Sequence, residues 1–185
     1  MPPRTIDDVA LADAVAGVFS RHGYAGASIN LLSEATGLGR ASLYHRFPGG
    51  KDEMVAAIID RATERYNVAL APAFADGSPF ERAEEVAKGL DDYYKGGTQS
   101  CLIVALSVAD DENRSTAGRC VDAWADALTH IARDAGMTPA QADVAAMDAV
   151  AAIEGGMVIA VTSGKTDAYD RALATLPERL TRTAD

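Results

Sequence analysis

The sequence predicts an all-α protein of about nine helices, compact and short at the N-terminal end and longer beyond it. Three observations carry that prediction. The 185 residues are 48% apolar and unusually rich in alanine, which with leucine, arginine and glutamate loses least on entering a helix. Apolar residues recur at helical rather than alternating spacing, and β-branched runs are short. Glycine and proline punctuate the chain so that helix-length segments lie between them.

The elements follow in order. Thr5 can cap a first helix with Asp7 and Asp8 in its positive first turn, and Leu11, Val15, Val18 and Phe19 form its apolar stripe. Gly23, in RHGY, suits the left-handed residue that ends it. Ser28 caps INLLSEAT, whose Ile29, Leu32 and Ala35 share a face. GLG breaks the chain, RASLYHRF forms a third helix with Leu43 and Phe47 a turn apart, and PGG breaks it again. Lys51 opens a long helix to about Leu70, closed by Pro72. Ser78, Pro79 and Glu81 are the cap, first helical residue and capping-box partner of the next, which stops near KGG. A short apolar helix is expected over 100–109 and a longer one over 112–135. Thr138-Pro139 opens a strongly apolar helix to about Ser163, and a last helix runs from 167 to Leu180.

Several chemistries find no support. Cys101 and Cys120 lack CxxC spacing and a nearby histidine, so two small buried thiols are expected rather than a zinc or disulfide site. His22, His45 and His130 fall in different helices, and neither GxSxG nor HExxH occurs; no enzyme activity, metal or cofactor is expected. The N-terminus lacks the apolar core of a signal peptide, and the stretches near CLIVAL and GMVIAV read as too short to span a bilayer. A soluble, cytoplasmic protein with no membrane partner is expected. Two glycine-lysine pairs invite a nucleotide loop. HRFPGGKDE has His45 where a Walker motif needs glycine and Asp52 where it needs Ser or Thr, and TSGKTD has Ile159 at the glycine position.

Charge divides the chain. The net charge is −10, but residues 1–51 carry +1 and residues 52–185 carry −11. Such asymmetry suggests two domains with two tasks, 1–51 able to approach a polyanion and 52–185 repelled by it. Within the first, residues 28–47 follow the helix-turn-helix plan. Ser33 is small where the helices meet, Gly37 opens the turn, and Leu38, Leu43 and Phe47 lie beneath. Arg40, Ala41, Tyr44 and His45 remain on an outer face suited to a DNA groove. Spacing alone equally allows a helical hairpin within a larger bundle. Arg40, Tyr44, His45 and Arg46 would then be a solvated face, with Tyr44 free to pack.

The stretch VFSRHGYAGASINLLSEATGLGRASLYHRFPGGKDEM resembles the DNA-binding domain of the TetR family of bacterial transcription regulators, from about Leu11 to Ile59. Its FPGGK spelling is similar to the LmrA/YxaF-like subgroup, with echoes in SCLIVALSVA and IEGGMVIA. The resemblance implies that Arg40, Ala41 and Ser42 open a recognition helix toward the bases. It implies that Tyr44 and His45 contact sugar-phosphate, that Lys51 meets a phosphate, and that Ser28 and Asn30 flank the backbone on the other side. Gly39 departs from the family's usual Ser or Thr cap, and Leu31 replaces a common polar residue and is expected to pack on the first helix. The function implied is a repressor that binds palindromic operator DNA as a homodimer and is released by a small hydrophobic ligand.

The remainder would supply dimerisation and sensing. A dimer seam is expected through 139–163 and 167–180. Met147, Val150, Ala151, Glu154, Met157, Val158 and Val161 lie along one side of the first of these helices, and Ala146, Ile153 and Ala160 along another. Gly155 and Gly156 permit close helix approach. The same pattern also fits a central core helix. Tyr66, Phe74, Tyr93, Trp124, Met147 and Met157 can line a sensor cavity, and equally can be core. Glu154 either faces that cavity, pairs with Arg171 or Arg179, or sits at a wet end of the seam.

Overall fold

In the computed structural model, which describes residues 6–99, 101 and 111–182, every regular element among the described residues is helical. They are α1 (Asp8–Gly26), α2 (Ile29–Thr36), α3 (Arg40–Arg46) and α4 (Lys51–Leu70), then a 3-10 turn (Ala71–Phe74) and α5 (Pro79–Tyr94). α6 (Asp111–Asp134), α7 (Pro139–Ser163), α8 (Asp167–Ala174) and α9 (Leu176–Thr181) follow. The helix expected over 100–109 lies outside the described residues.

The chain forms two compact units. One comprises the chain to Glu64 together with the start of α6 to Ala117; the other comprises Arg65–Cys101 and the chain from Gly118. The division falls inside α4 rather than at its first residue, where the sequence had suggested a boundary after 51. The reason is packing: Met54, Val55, Ile58 and Ile59 of α4 close the same core as Leu11, Val15, Val18 and Phe19 of α1, Leu32 of α2 and Leu43 of α3. The first part of α4, from Lys51 to Glu64, therefore belongs to the N-terminal fold.

One expectation at α1 is corrected. Thr5 lies outside the described residues, and Asp7 is the cap, its carboxylate accepting from the Ala10 amide at 2.7 Å. Gly23 interrupts the helix where the sequence placed its end. With φ +63° and ψ 177° it kinks the chain, and helical backbone resumes to Gly26.

In the second unit, local signals hold closely. Ser78 and Glu81 form a reciprocal capping box with Pro79 at the helix start, and Thr138 with Gln141 does the same before Pro139. Arg82 is buried; it donates to the Ala73 carbonyl at 2.9 Å and to Asp134 at 2.7 Å, tying α5 to the 3-10 turn and α6. The last expected helix is two, broken at Thr175. Pro177 has no amide to give the carbonyl of Leu173, so α8 stops and α9 begins anew.

α7 is the spine of this unit. Ala142, Ala146, Ala149, Val150, Ile153 and Met157 pack into its core. A Cβ on Gly156 would lie 2.7 Å from the Tyr169 backbone, so α7 and α8 approach as closely as backbone allows. The expected apolar side is thereby divided: Val150 and Met157 turn inward, whereas Met147, Val158 and Val161 are exposed, as are Val144 and Ile159 outside it. By length and composition alone α7 is apolar enough to cross a membrane, contrary to the sequence expectation. That expectation weighed unbroken apolar runs, and alanines between Asp148 and Glu154 keep the mean hydropathy high.

Candidate nucleic-acid interface

The α2–α3 turn is built from local chemistry. The Ser28 hydroxyl accepts from the Leu31 amide and starts α2, and Gly37 ends it in the left-handed conformation, φ +69°. Ser33 does more than stay small: its hydroxyl donates to the Leu38 carbonyl at 2.5 Å. The Thr36 hydroxyl donates to the Leu32 carbonyl at 2.7 Å and accepts from the Leu38 amide. Thus both ends of the turn are hydrogen-bonded before α3 begins. Leu43 is fully buried beneath α3, while Leu31, Leu38 and Phe47 pack partly against the same core.

This scaffold leaves Ser28, Asn30, Arg40, Ala41, Ser42, Tyr44 and His45 exposed on the unit's surface, with Tyr44 at 52%. Tyr44 is therefore not a core aromatic; its ring lies beside Gly50 in the turn leading to α4. α2 and α3 carry no acid in their first turns, whereas α1 and α4 carry Asp8, Asp52 and Glu53. Their positive ends are thus unneutralised by their own side chains, as an approaching polyanion requires. Gly39 gives α3 no side-chain cap, the departure noted in the sequence.

Arg40, Arg46 and Lys51 are already engaged. Arg40 Nη2 donates to Asn30 Oδ1, joining the starts of α3 and α2. Arg46 pairs with Asp8 of α1. Lys51 Nζ donates to the Tyr24 carbonyl at 2.7 Å and lies 4.3 Å from the centre of the Tyr24 ring. The Tyr24 hydroxyl in turn donates to Asp52. Glu53 accepts from the Gly49 amide at 2.7 Å. Tyr24 was missed as a participant because it reads as one more apolar residue near the end of α1.

In the second unit, the residues expected to line a cavity separate into two groups. Tyr66, Tyr93, Trp124 and Met157 are buried together, with edge-to-face contacts of Tyr66 on Tyr93 and on Trp124 at 5.4 and 5.7 Å. Phe74 and Met147 stand apart, 62% and 47% exposed; Phe74 stacks on His130 instead. Glu154 reaches the aromatic group. Its carboxyl accepts from the Tyr94 hydroxyl at 3.4 Å and from the Cys101 thiol, and burial raises its pKa above the usual carboxylate range. Burial likewise pushes the Tyr66, Tyr93 and Tyr94 phenols far above the ordinary tyrosine value. The Trp124 indole N–H is buried without a partner among the described residues. An open cleft of about 270 Å³ adjoins Tyr93, lined by Arg65, Val68, Ala69, Gly89 and Asp92. Tyr94 was not anticipated, since nothing in sequence links it to Glu154. Neither Cys101 nor Cys120 is in a disulfide, and both are only half-buried.

A three-helix base presenting an exposed, acid-free pair of helix starts, in a chain with a larger helical unit, defines a helix-turn-helix transcription regulator. Residues 11–58 match the family described as bacterial regulatory proteins, tetR family, and residues 80–175 match the LmrA/YxaF-like transcriptional regulator C-terminal domain. The chain belongs to the TetR family of transcriptional regulators, in its LmrA/YxaF-like subgroup. It is 23% identical over 179 residues to the HTH-type transcriptional regulator LmrA of Bacillus subtilis (strain 168), covering 93% of this chain and 95% of that one. A TetR transcriptional regulator from Legionella pneumophila has the same fold, with a TM-score of 0.80 at 15% identity over 96% of this chain and 98% of its own. A TetR-like regulator from Rhodococcus sp. RHA1 superposes with a TM-score of 0.73 at 24% identity, covering 97% of each chain.

Proposed function

We propose that the protein is a cytoplasmic, non-enzymatic repressor that binds a palindromic operator as a homodimer and leaves it when a small hydrophobic molecule binds the second unit. The exposed face of α2 and α3, free of first-turn acids and carrying Arg40, Tyr44 and His45, is the observation that supports it most. In this reading Arg40, Ala41 and Ser42 meet base edges, while Tyr44, His45, Ser28 and Asn30 meet the sugar-phosphate. Lys51 has three donors, so it can keep its bond to the Tyr24 carbonyl and offer another to a phosphate. Residues 1–51 carry the DNA contacts and 52–185 the sensing and pairing, with α4 shared between them.

The exposed apolar row of α7 supports pairing with a second copy. In this reading Met147, exposed on α7, belongs to that seam rather than to a cavity. The effector reading rests on Tyr66, Tyr93 and Trp124 with Glu154, an apolar site with few polar anchors. A ligand there lowers DNA affinity only by preferring the conformer that binds DNA less well. Binding assays with two variants test the DNA contacts. Arg40→Ala is expected to change sequence preference, and Lys51→Ala to weaken all sequences alike and reduce the salt slope by about one. The opposite pattern refutes the assignment.

A further inference from the structure

We propose that Asn30 is a positioning residue for Arg40, so that preference at the base Arg40 meets is set by the pair rather than by the arginine alone. The inference rests on the α2–α3 face contacting DNA and goes beyond it. Arg40 cannot easily hold itself. It is exposed, it opens a helix of only seven residues, and that helix has no side-chain cap at Gly39. Neither α2 nor α3 offers an acid in its first turn to fix a guanidinium. A long side chain left free there would lose much rotamer freedom on reaching a base, which lowers both affinity and discrimination.

The contact that fixes it is the Arg40 Nη2 donation to Asn30 Oδ1. Asn30 is itself well placed to serve as an anchor. It lies in the first turn of α2, which is started by the Ser28 hydroxyl, held in the core by Leu32 and joined to the turn through Thr36. An amide oxygen holds the guanidinium without cancelling its charge, whereas Asp at this position would neutralise it before it met DNA. Only one arm of the fork is used, and the remaining donors stay available to a guanine edge. The same contact links the first turn of α3 to that of α2 where a capping hydroxyl is missing.

The test has two arms. In the free protein, NMR relaxation of the Arg40 side-chain nitrogens is expected to show restricted motion that Asn30→Ala abolishes and Asn30→Asp retains. Thermal unfolding should be unchanged in both, since the pair is exposed. On DNA, Asn30→Ala is expected to lower discrimination at the base read by Arg40 by on the order of threefold to tenfold. In an Arg40→Ala background, Asn30→Ala should change that discrimination no further. Unrestricted Arg40 motion in the wild-type protein, or a loss of affinity that is uniform across sequences with discrimination intact, overturns the proposal. The first arm needs no DNA, so failure of the pair is distinguishable from failure of DNA reading itself.

Discussion

Replacing Gly156 with alanine tests the α7–α8 crossing that shapes the second unit. A Cβ there would meet Tyr169 N and Cα at 2.7 Å and the Ala168 carbonyl carbon at 3.0 Å, all of them backbone atoms. Ordinary contact begins near 3.4 Å, so α8 would have to withdraw by several tenths of an ångström. It has little room, because the ring of Tyr169 is fully buried and presses on Gly97, where a Cβ would stand 2.8 Å from Cδ1. Alanine gains roughly 0.5–1 kcal/mol over glycine inside a helix. Overpacking against backbone costs about 1–3 kcal/mol, here at the upper end because no side chain can rotate aside. Gly156→Ala should therefore lose about 1–2 kcal/mol by urea unfolding, with the helix gain already included. Gly118→Ala is the matched control. That glycine is exposed in α6 with nothing among the described residues within 4 Å of its Cβ position, so the variant should gain about 0.5–1 kcal/mol. A Gly156→Ala protein as stable as the parent would refute the crossing.

Val158 is 57% exposed on α7, so Val158→Asp should leave the fold of each chain intact yet weaken self-association at least tenfold, as read by sedimentation. An unchanged dimer would remove α7 from the seam. Glu154 carries a pH signature. Its folded pKa lies above the ordinary value of 4.5, so the native state holds the proton more tightly than the unfolded chain. Stability from this group is present below pH 4.5 and falls as pH rises through the raised folded value. Urea midpoints across that window should fall with pH in the wild-type protein, and Glu154→Gln should remove that component. A wild-type protein that gains on the variant as pH rises would contradict a buried carboxyl.

What the sequence made legible was mostly local. Ser28, Gly37, and Ser78 with Glu81 act within a turn or two of themselves, and each took its expected place. Asp7 displaced Thr5 as the visible cap because two adjacent acids left the start of α1 ambiguous by a few residues. Pro177 was in plain view, and the break at Thr175 followed from a proline inside a helical pattern. The phase of α7 was not legible, because a helix apolar on both faces has no polar side to orient it. Hence Met147 and Met157, alike in sequence, face outward and inward. Pairings across long separations, Tyr94 with Glu154 and Tyr24 with Lys51 and Asp52, depend on tertiary approach and leave no spacing to read.

In the proposed reading the α2–α3 face meets DNA in pairs. Selection of bound sites from a random duplex library by the full-length protein tests it most directly, with affinities repeated across a salt series. An inverted repeat is expected whose half-site centres lie about 34–36 Å apart or a multiple of that, bound with a steep loss of affinity as salt rises. Recovery of no shared sequence, of a single half-site, or of binding indifferent to salt would contradict it.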